Sequence, residues 1–167
     1  MYVFIGEGDY GDLKNKLDVG YEVGGYFTAD GSGRLHPVTS ATGSHNRIVL
    51  PGTRSFPFHT HPGRCYSKTN CSFGVPSSED MSQIANSGCT AHFVISHDGV
   101  YCIQPLNVQG SKGEIASKFK QLQDDFSSSY EDYSQFVRNW LDIANNSGYV
   151  ATLSFSETPS FQIIIPS

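Results

Sequence analysis

Phe56-Pro57-Phe58-His59-Thr60-His61-Pro62 is the stretch around which the rest of this chain organises. Successive side chains of a β-strand point to opposite faces. Phe56, Phe58 and Thr60 then share a side able to enter a core, and Pro57, His59 and His61 share the other. Two imidazoles at i and i+2 on one strand face converge on a common point, as a metal site requires. Pro57 cannot donate to a sheet ladder, so the strand is expected at a sheet edge or with Pro57 at its start. The pair alone is a weak signal, since surface histidines at this spacing arise by chance, and a third ligand decides between the readings.

Downstream, residues 63–75 carry no periodicity and read as an irregular stretch. Pro76-Ser77-Ser78-Glu79-Asp80 then opens a helix that runs to about Ser87 and stops at Gly88. A serine N-cap with an acidic residue three positions on is a helix-start signature. Asp80, in the first turn, can complete a three-ligand zinc site with an open fourth position. It can also serve only as the capping partner of Ser77. Glu79 is the neighbouring alternative.

Upstream, residues 9–17 suggest a short helix and residues 22–29 a strand. The Asp30-Gly31-Ser32-Gly33 turn leads to a second strand near residues 34–38. Residues 39–47 read as a loop and Ile48 to Leu50 as a strand, followed by Pro51-Gly52. Beyond Gly88, Ala91, Phe93 and Ile95 alternate, as do Tyr101 and Ile103. His97-Asp98-Gly99 between them is a hairpin signal. Ile115, Phe119 and Leu122 follow helical spacing, and so do Tyr133, Phe136, Val137, Trp140 and Leu141. Strands are expected over residues 149–155 and 161–165.

The 167 residues suffice for one domain, spanning 1–167. A content of 38% hydrophobic and 13% aromatic residues fits a packed core, not a disordered tail. The net charge of −5 argues against nucleic-acid binding, which needs basic patches to displace phosphate counterions. No apolar run is long enough to cross a bilayer, and the N-terminus lacks the pattern of a signal peptide. The expected setting is therefore intracellular, in the cytoplasm. Cys65, Cys71, Cys89 and Cys102 include no C-x-x-C pair, and free or buried thiols are expected over disulfides.

Other H-x-H zinc folds fit poorly. A cupin-type barrel wants a glutamate shortly after the pair, where Cys65 and Tyr66 stand. An amidohydrolase barrel needs far more chain. Zinc deaminases need H-x-E with P-C-x-x-C. By contrast, Glu22-Val23-Gly24-Gly25, His59-Thr60-His61-Pro62 and Ser77-Ser78-Glu79-Asp80 together resemble the signature of the JAMM (MPN-plus) zinc metallopeptidases. The resemblance covers residues 19–106, and the segment 112–167 carries no motif of the family.

The resemblance implies an α/β domain, a deaminase-like sandwich with a central mixed sheet flanked by helices. It implies Zn²⁺ held by His59, His61 and Asp80, with Glu22 moving protons and Ser77 donating to the oxyanion. Gly24 and Gly25 would let a substrate backbone approach, or form a bulge. The implied activity is hydrolysis of a peptide or isopeptide bond, with the tail of ubiquitin or a ubiquitin-like protein as a candidate. Hydrolysis of a small amide and a non-catalytic MPN-type scaffold are the alternatives. His36, His45, His92 and His97 match no position of the signature and are expected on the surface or in loops.

One departure stands out: fourteen residues, 63–76, separate His-x-His-Pro from Ser77, a longer spacing than the family's. Long loops in compact domains are usually functional or disordered. This one is expected to rim the zinc cleft, with Tyr66 and Phe73 contacting substrate and Arg64 and Lys68 attracting an acidic one.

Overall fold

The structure is a computed structural model, and it describes residues 1–43 and 55–165. Strand β1 (Tyr2–Ile5) leads into helix α1 (Glu7–Asn15) and a single 3-10 turn (Lys16–Asp18). Strands β2 (Val23–Ala29), β3 (Arg34–Thr42), β4 (Pro57–His61), β5 (Cys65–Ser67) and β6 (Asn70–Cys71) follow. Helix α2 (Ser78–Ala85), strands β7 (His92–Ser96) and β8 (Gly99–Pro105), and helices α3 (Lys112–Phe126) and α4 (Tyr133–Asn146) come next. Strands β9 (Tyr149–Ser154) and β10 (Ser160–Gln162) end the described chain.

Eight strands form one sheet in the order β10-β1-β3-β2-β4-β7-β8-β9, and β5 pairs with β6 apart from it. β1 with β3 and β4 with β7 are parallel, while the remaining pairs are antiparallel. The fold is thus α/β, with a large mixed sheet covered on both faces. Alternation along the strands divides the core. Phe58, Phe93, Ile95, Val100 and Cys102 pack with Tyr10 and Leu13 of α1 on one face. Val94, Tyr101 and Ile103 pack on the other with Met81 of α2, Phe119 of α3 and Trp140 of α4. Among the described residues no helix is long and apolar enough to cross a membrane.

Of the two positions expected for Pro57, the structure shows the strand start and not the sheet edge: β4 is interior, between β2 and β7, and Pro57 is its first residue. The missing donor therefore falls where the ladder begins. Other expectations need correction. Residues 39–42 belong to β3 and not to a loop, because β2 pairs with them out to Thr42. β2 itself starts at Val23, and β10 stops at Gln162. The expected strand at Ile48 to Leu50, the Pro51-Gly52 turn and His45 lie outside the described residues.

The stretch 63–75 is also more ordered than its sequence suggested. It holds the β5–β6 hairpin, in which Cys65 and Cys71 are cross-strand partners joined by a disulfide. The expectation of thiols fails for this pair because the hairpin sets them face to face. It holds for Cys89 and Cys102, which are buried and free. Lys68, at the hairpin tip, does not await an acidic ligand. Its ammonium donates to the Phe126 carbonyl at 3.2 Å, to Ser129 Oγ at 3.1 Å and to the Glu131 carbonyl, and lies over the Phe126 ring. A cation at a helix C-terminus meets the free carbonyls and negative dipole end there. The hairpin is thereby fastened to the end of α3.

A bulge between Gly24 and Gly25 shifts the β2–β3 register. At Gly25 a Cβ would lie 1.9 Å from the Val38 carbonyl oxygen, a main-chain atom that cannot step aside. Gly25→Ala should therefore cost about 2–3 kcal/mol or more. Chemical denaturation measures this, and a loss below about 0.5 kcal/mol would show that the β2–β3 approach is looser than described.

Candidate metal centre

The histidine face of β4 turns toward α2. Phe58, one residue away, enters the opposite core, so alternation alone sends His59 and His61 to the α2 side. His59 is 2% exposed, and the His61 side chain only 12%. Asp80 arrives from the first turn of α2, held there by a complete capping box. Ser77 Oγ accepts from the Asp80 main-chain N–H at 3.0 Å, and the Ser77 N–H donates to Asp80 Oδ2 at 2.9 Å. The cap fixes the register: Asp80 faces the histidines, whereas Glu79 is exposed and accepts from Gln83.

The three groups converge closely. His59 Nε2 and His61 Nε2 are 3.1 Å apart, and Asp80 Oδ2 lies 3.1 Å from each. Tetrahedral zinc with bonds of about 2.0–2.2 Å separates its ligand atoms by about 3.3–3.6 Å. This triangle fits such an ion after a small expansion. Its chemistry fits too, because two imidazoles and a carboxylate are a frequent zinc donor set.

Glu22 stands just before β2 and is 2% exposed. Its Oε1 lies 3.4 Å from His61 Nε2 and 3.9 Å from His59 Nε2. Glu22, His59 and His61 also offer ligand atoms within 4.8 Å of one another, so either carboxylate could be considered the third ligand. The distances favour Asp80, which is nearer to both rings. Glu22 sits one step back, at the range of a group facing a metal's open position. Thr60 helps hold it there: its hydroxyl accepts from the Val23 N–H at 2.9 Å and donates to the Val23 carbonyl at 3.3 Å.

Electrostatics follow from this crowding. Burial works against charge on both partners. For Asp80 the two histidines outweigh it and hold the carboxyl well below the usual range. For His61 burial is outweighed by Asp80 and Glu22, which raise its pKa. Asp80 therefore stays ionised, and a metal at this site competes with a proton on His61.

His92 was expected on the surface or in a loop and instead lies buried in β7. Its Nε2 is 2.7 Å from His59 Nδ1. Burial and the neighbouring His59 push the His92 pKa down to about 3, so the ring is neutral. In the tautomer that suits a metal, His59 Nδ1–H donates to His92 and leaves the Nε2 lone pair facing His61 and Asp80. Such partners orient ligand imidazoles. The Phe73 main chain gives His61 a similar hydrogen bond. Apolar alternation in residues 91–95 was the only sequence signal for His92, and it leaves that residue on the face of the strand opposite Phe93.

A cavity of about 370 Å³ opens beside the cluster, lined by Glu22, His61, Ser77, Phe73 and Gln123 among others. Phe73 is thus on the cleft, as expected. Tyr66 is 74% exposed and is not among the lining residues. Arg64 lines a different cavity, together with Lys14 and His97. Gly24 and Gly25 lie in an interior strand bonded on both sides, to β3 and to β4, and offer no free edge. Gly24 is the cross-strand partner of His59, so its missing side chain leaves room on the histidine face. His36 is exposed beside Asp30, and His97 lies 3.2 Å from the Pro62 carbonyl.

Purified protein should bind about one zinc per chain. Asp80→Ala should abolish or sharply weaken binding, whereas Glu79→Ala should leave it intact. His92→Ala should weaken affinity about 10–100-fold, the usual effect of removing a ligand's outer partner. Zinc titration against a competing chelator measures all three. Normal affinity in Asp80→Ala would assign the third ligand position to Glu22.

Comparison with known proteins supplies no relative: no protein-family model, no curated protein and no solved structure matches the chain.

Proposed function

We propose that this protein is a zinc-dependent hydrolase of the JAMM type, cleaving a peptide or isopeptide bond. One observation carries the reading. A buried carboxylate, Glu22, stands 3.4 Å from a histidine that also belongs to a compact His-His-Asp triangle. A site for storing or merely binding metal has no need of a second carboxylate held at that range. The order of the signature along the chain and the sheet-and-helix setting support the same family.

Zinc at His59, His61 and Asp80 would polarise the scissile carbonyl and lower the pKa of a water from near 16 to about 7. Glu22 accepts the proton of that water and returns it to the leaving amine. Its burial excludes bulk water from the transfer, and acid–base help of this kind adds about 10²–10⁴ in rate. Ser77 Oγ already accepts from the Asp80 N–H, so its hydroxyl proton remains to be donated. Ser77 lines the cavity, where that proton can meet an oxyanion. Apart from Glu22 and His61, the lining side chains are uncharged. This suits a narrow neutral peptide segment, with the tail of a ubiquitin-like protein as one candidate.

Glu22→Gln should retain zinc and fold while losing most turnover, because the amide keeps the shape but cannot carry the proton. The assay pairs zinc content with cleavage of a panel of ubiquitin-like fusions, isopeptide-linked chains and small acyl amides. Turnover within a few-fold of wild type would remove Glu22 from the mechanism. Cleavage of the small amides alone would move the substrate class away from proteins.

Ser77→Ala separates two roles. As an oxyanion donor, Ser77 accounts for about 10²–10³ in turnover. As a cap alone, its loss costs about 1 kcal/mol of stability and leaves turnover of the folded fraction unchanged. Kinetics and melting measured on the same sample distinguish the outcomes.

A further inference from the structure

Helix α3 reaches the cleft through one side chain. Its apolar residues Ile115, Phe119 and Phe126 enter the core, with Leu122 packed against it. Its polar residues nearby are satisfied along the helix: Lys120 donates to Asp124 and Gln121 donates to Asp125 at 2.8 Å. Gln123 stands among them, half-buried, with no hydrogen bond to its side-chain amide among the described residues. It lines the same cavity as Glu22, His61 and Ser77.

Three of the cavity's other polar groups already have work in the proposed chemistry. Glu22 handles the proton, Ser77 faces the oxyanion and His61 holds metal. The rest of the wall, including Pro62, Gly63, Phe73 and Val75, adds one polar side chain, the Ser72 hydroxyl, which carries its donor and acceptor on a single atom. A primary amide carries both a donor and an acceptor and no charge. Its complement is another amide, whose N–H and C=O it can engage together. The position is also rigid, because Lys68 clamps the hairpin wall to the end of α3.

We infer that Gln123 is a substrate-binding residue that reads the main-chain peptide group next to the scissile bond. The inference rests on the zinc-hydrolase reading above and deepens it. It gives the C-terminal helices, which carry no motif, a place in the site. It also selects acyl groups bearing a neighbouring amide over simple ones, since an unmet amide in a half-buried cleft is unfavourable.

The test uses the zinc-loaded full chain and two probes. Acetohydroxamate carries only the metal-binding group. N-acetylglycine hydroxamate carries the same group and one flanking peptide amide. Calorimetry should give wild-type protein about 3- to 10-fold tighter binding of the second probe, the effect of a neutral hydrogen-bonded amide. Gln123→Leu, similar in size and in helix propensity, should abolish that preference and leave acetohydroxamate binding unchanged. Gln123→Asn, one methylene shorter, should reduce it as well and serves if the leucine variant folds poorly. An equal preference in wild type and variants overturns the inference, and so does no preference in wild type. Zinc content, measured first, tells the failures apart. If no zinc is retained, the hydrolase reading fails and this inference with it. If zinc is retained and acetohydroxamate binds without any preference for the longer probe, only the role of Gln123 falls.

Discussion

Two imidazole nitrogens and a carboxylate oxygen, each 3.1 Å from the others, cannot share one small volume as bare lone pairs. A proton relieves part of the repulsion, which is why the pKa of His61 rises. A divalent cation relieves all of it at once. Nearly every unusual local feature around β4 serves to hold these three atoms at that separation. The parallel pairing with β7 fixes the histidine strand on one side and brings His92 against His59. The antiparallel pairing with β2 fixes it on the other, with Gly24 beside His59.

The carboxylates are held by different means. Asp80 depends on a helix cap, so the start of α2 and the position of this carboxylate are one structural decision. Glu22 depends on the Thr60 hydroxyl that holds Val23 where β2 begins. The hairpin and the paired helices then close the cleft. The disulfide ties β5 to β6, Lys68 ties the hairpin to α3, and Phe73 meets the aromatic rings of Phe126 and Phe136 while its main chain supports His61. A stretch that reads as an insertion is therefore part of the wall.

What the sequence disclosed follows from what is local. Period-two alternation placed His59 and His61 on one face, and the Ser77 cap placed Asp80 in a first helical turn. Both are decided by a few neighbouring residues. Long-range pairings were not legible. Nothing near His92 indicates that β7 would lie parallel to β4, and nothing near Cys65 and Cys71 specifies the hairpin that opposes them. Lys68 illustrates the same limit. Its partners are the Phe126 and Glu131 carbonyls, some sixty residues away, and main-chain carbonyls leave no signature in composition. Gln123 was invisible because its helix pattern is ordinary, and only the assembled cavity sets it apart from Gln121.

X-ray absorption at the zinc edge of the loaded protein reads the donor set at His59, His61 and Asp80 itself. Four light scatterers are expected at about 2.0–2.2 Å, two of them with the outer-shell pattern of imidazole, and no sulfur. A sulfur scatterer near 2.3 Å would move the metal to the cysteines, and a protein that takes up no zinc would contradict a metal centre at these residues outright.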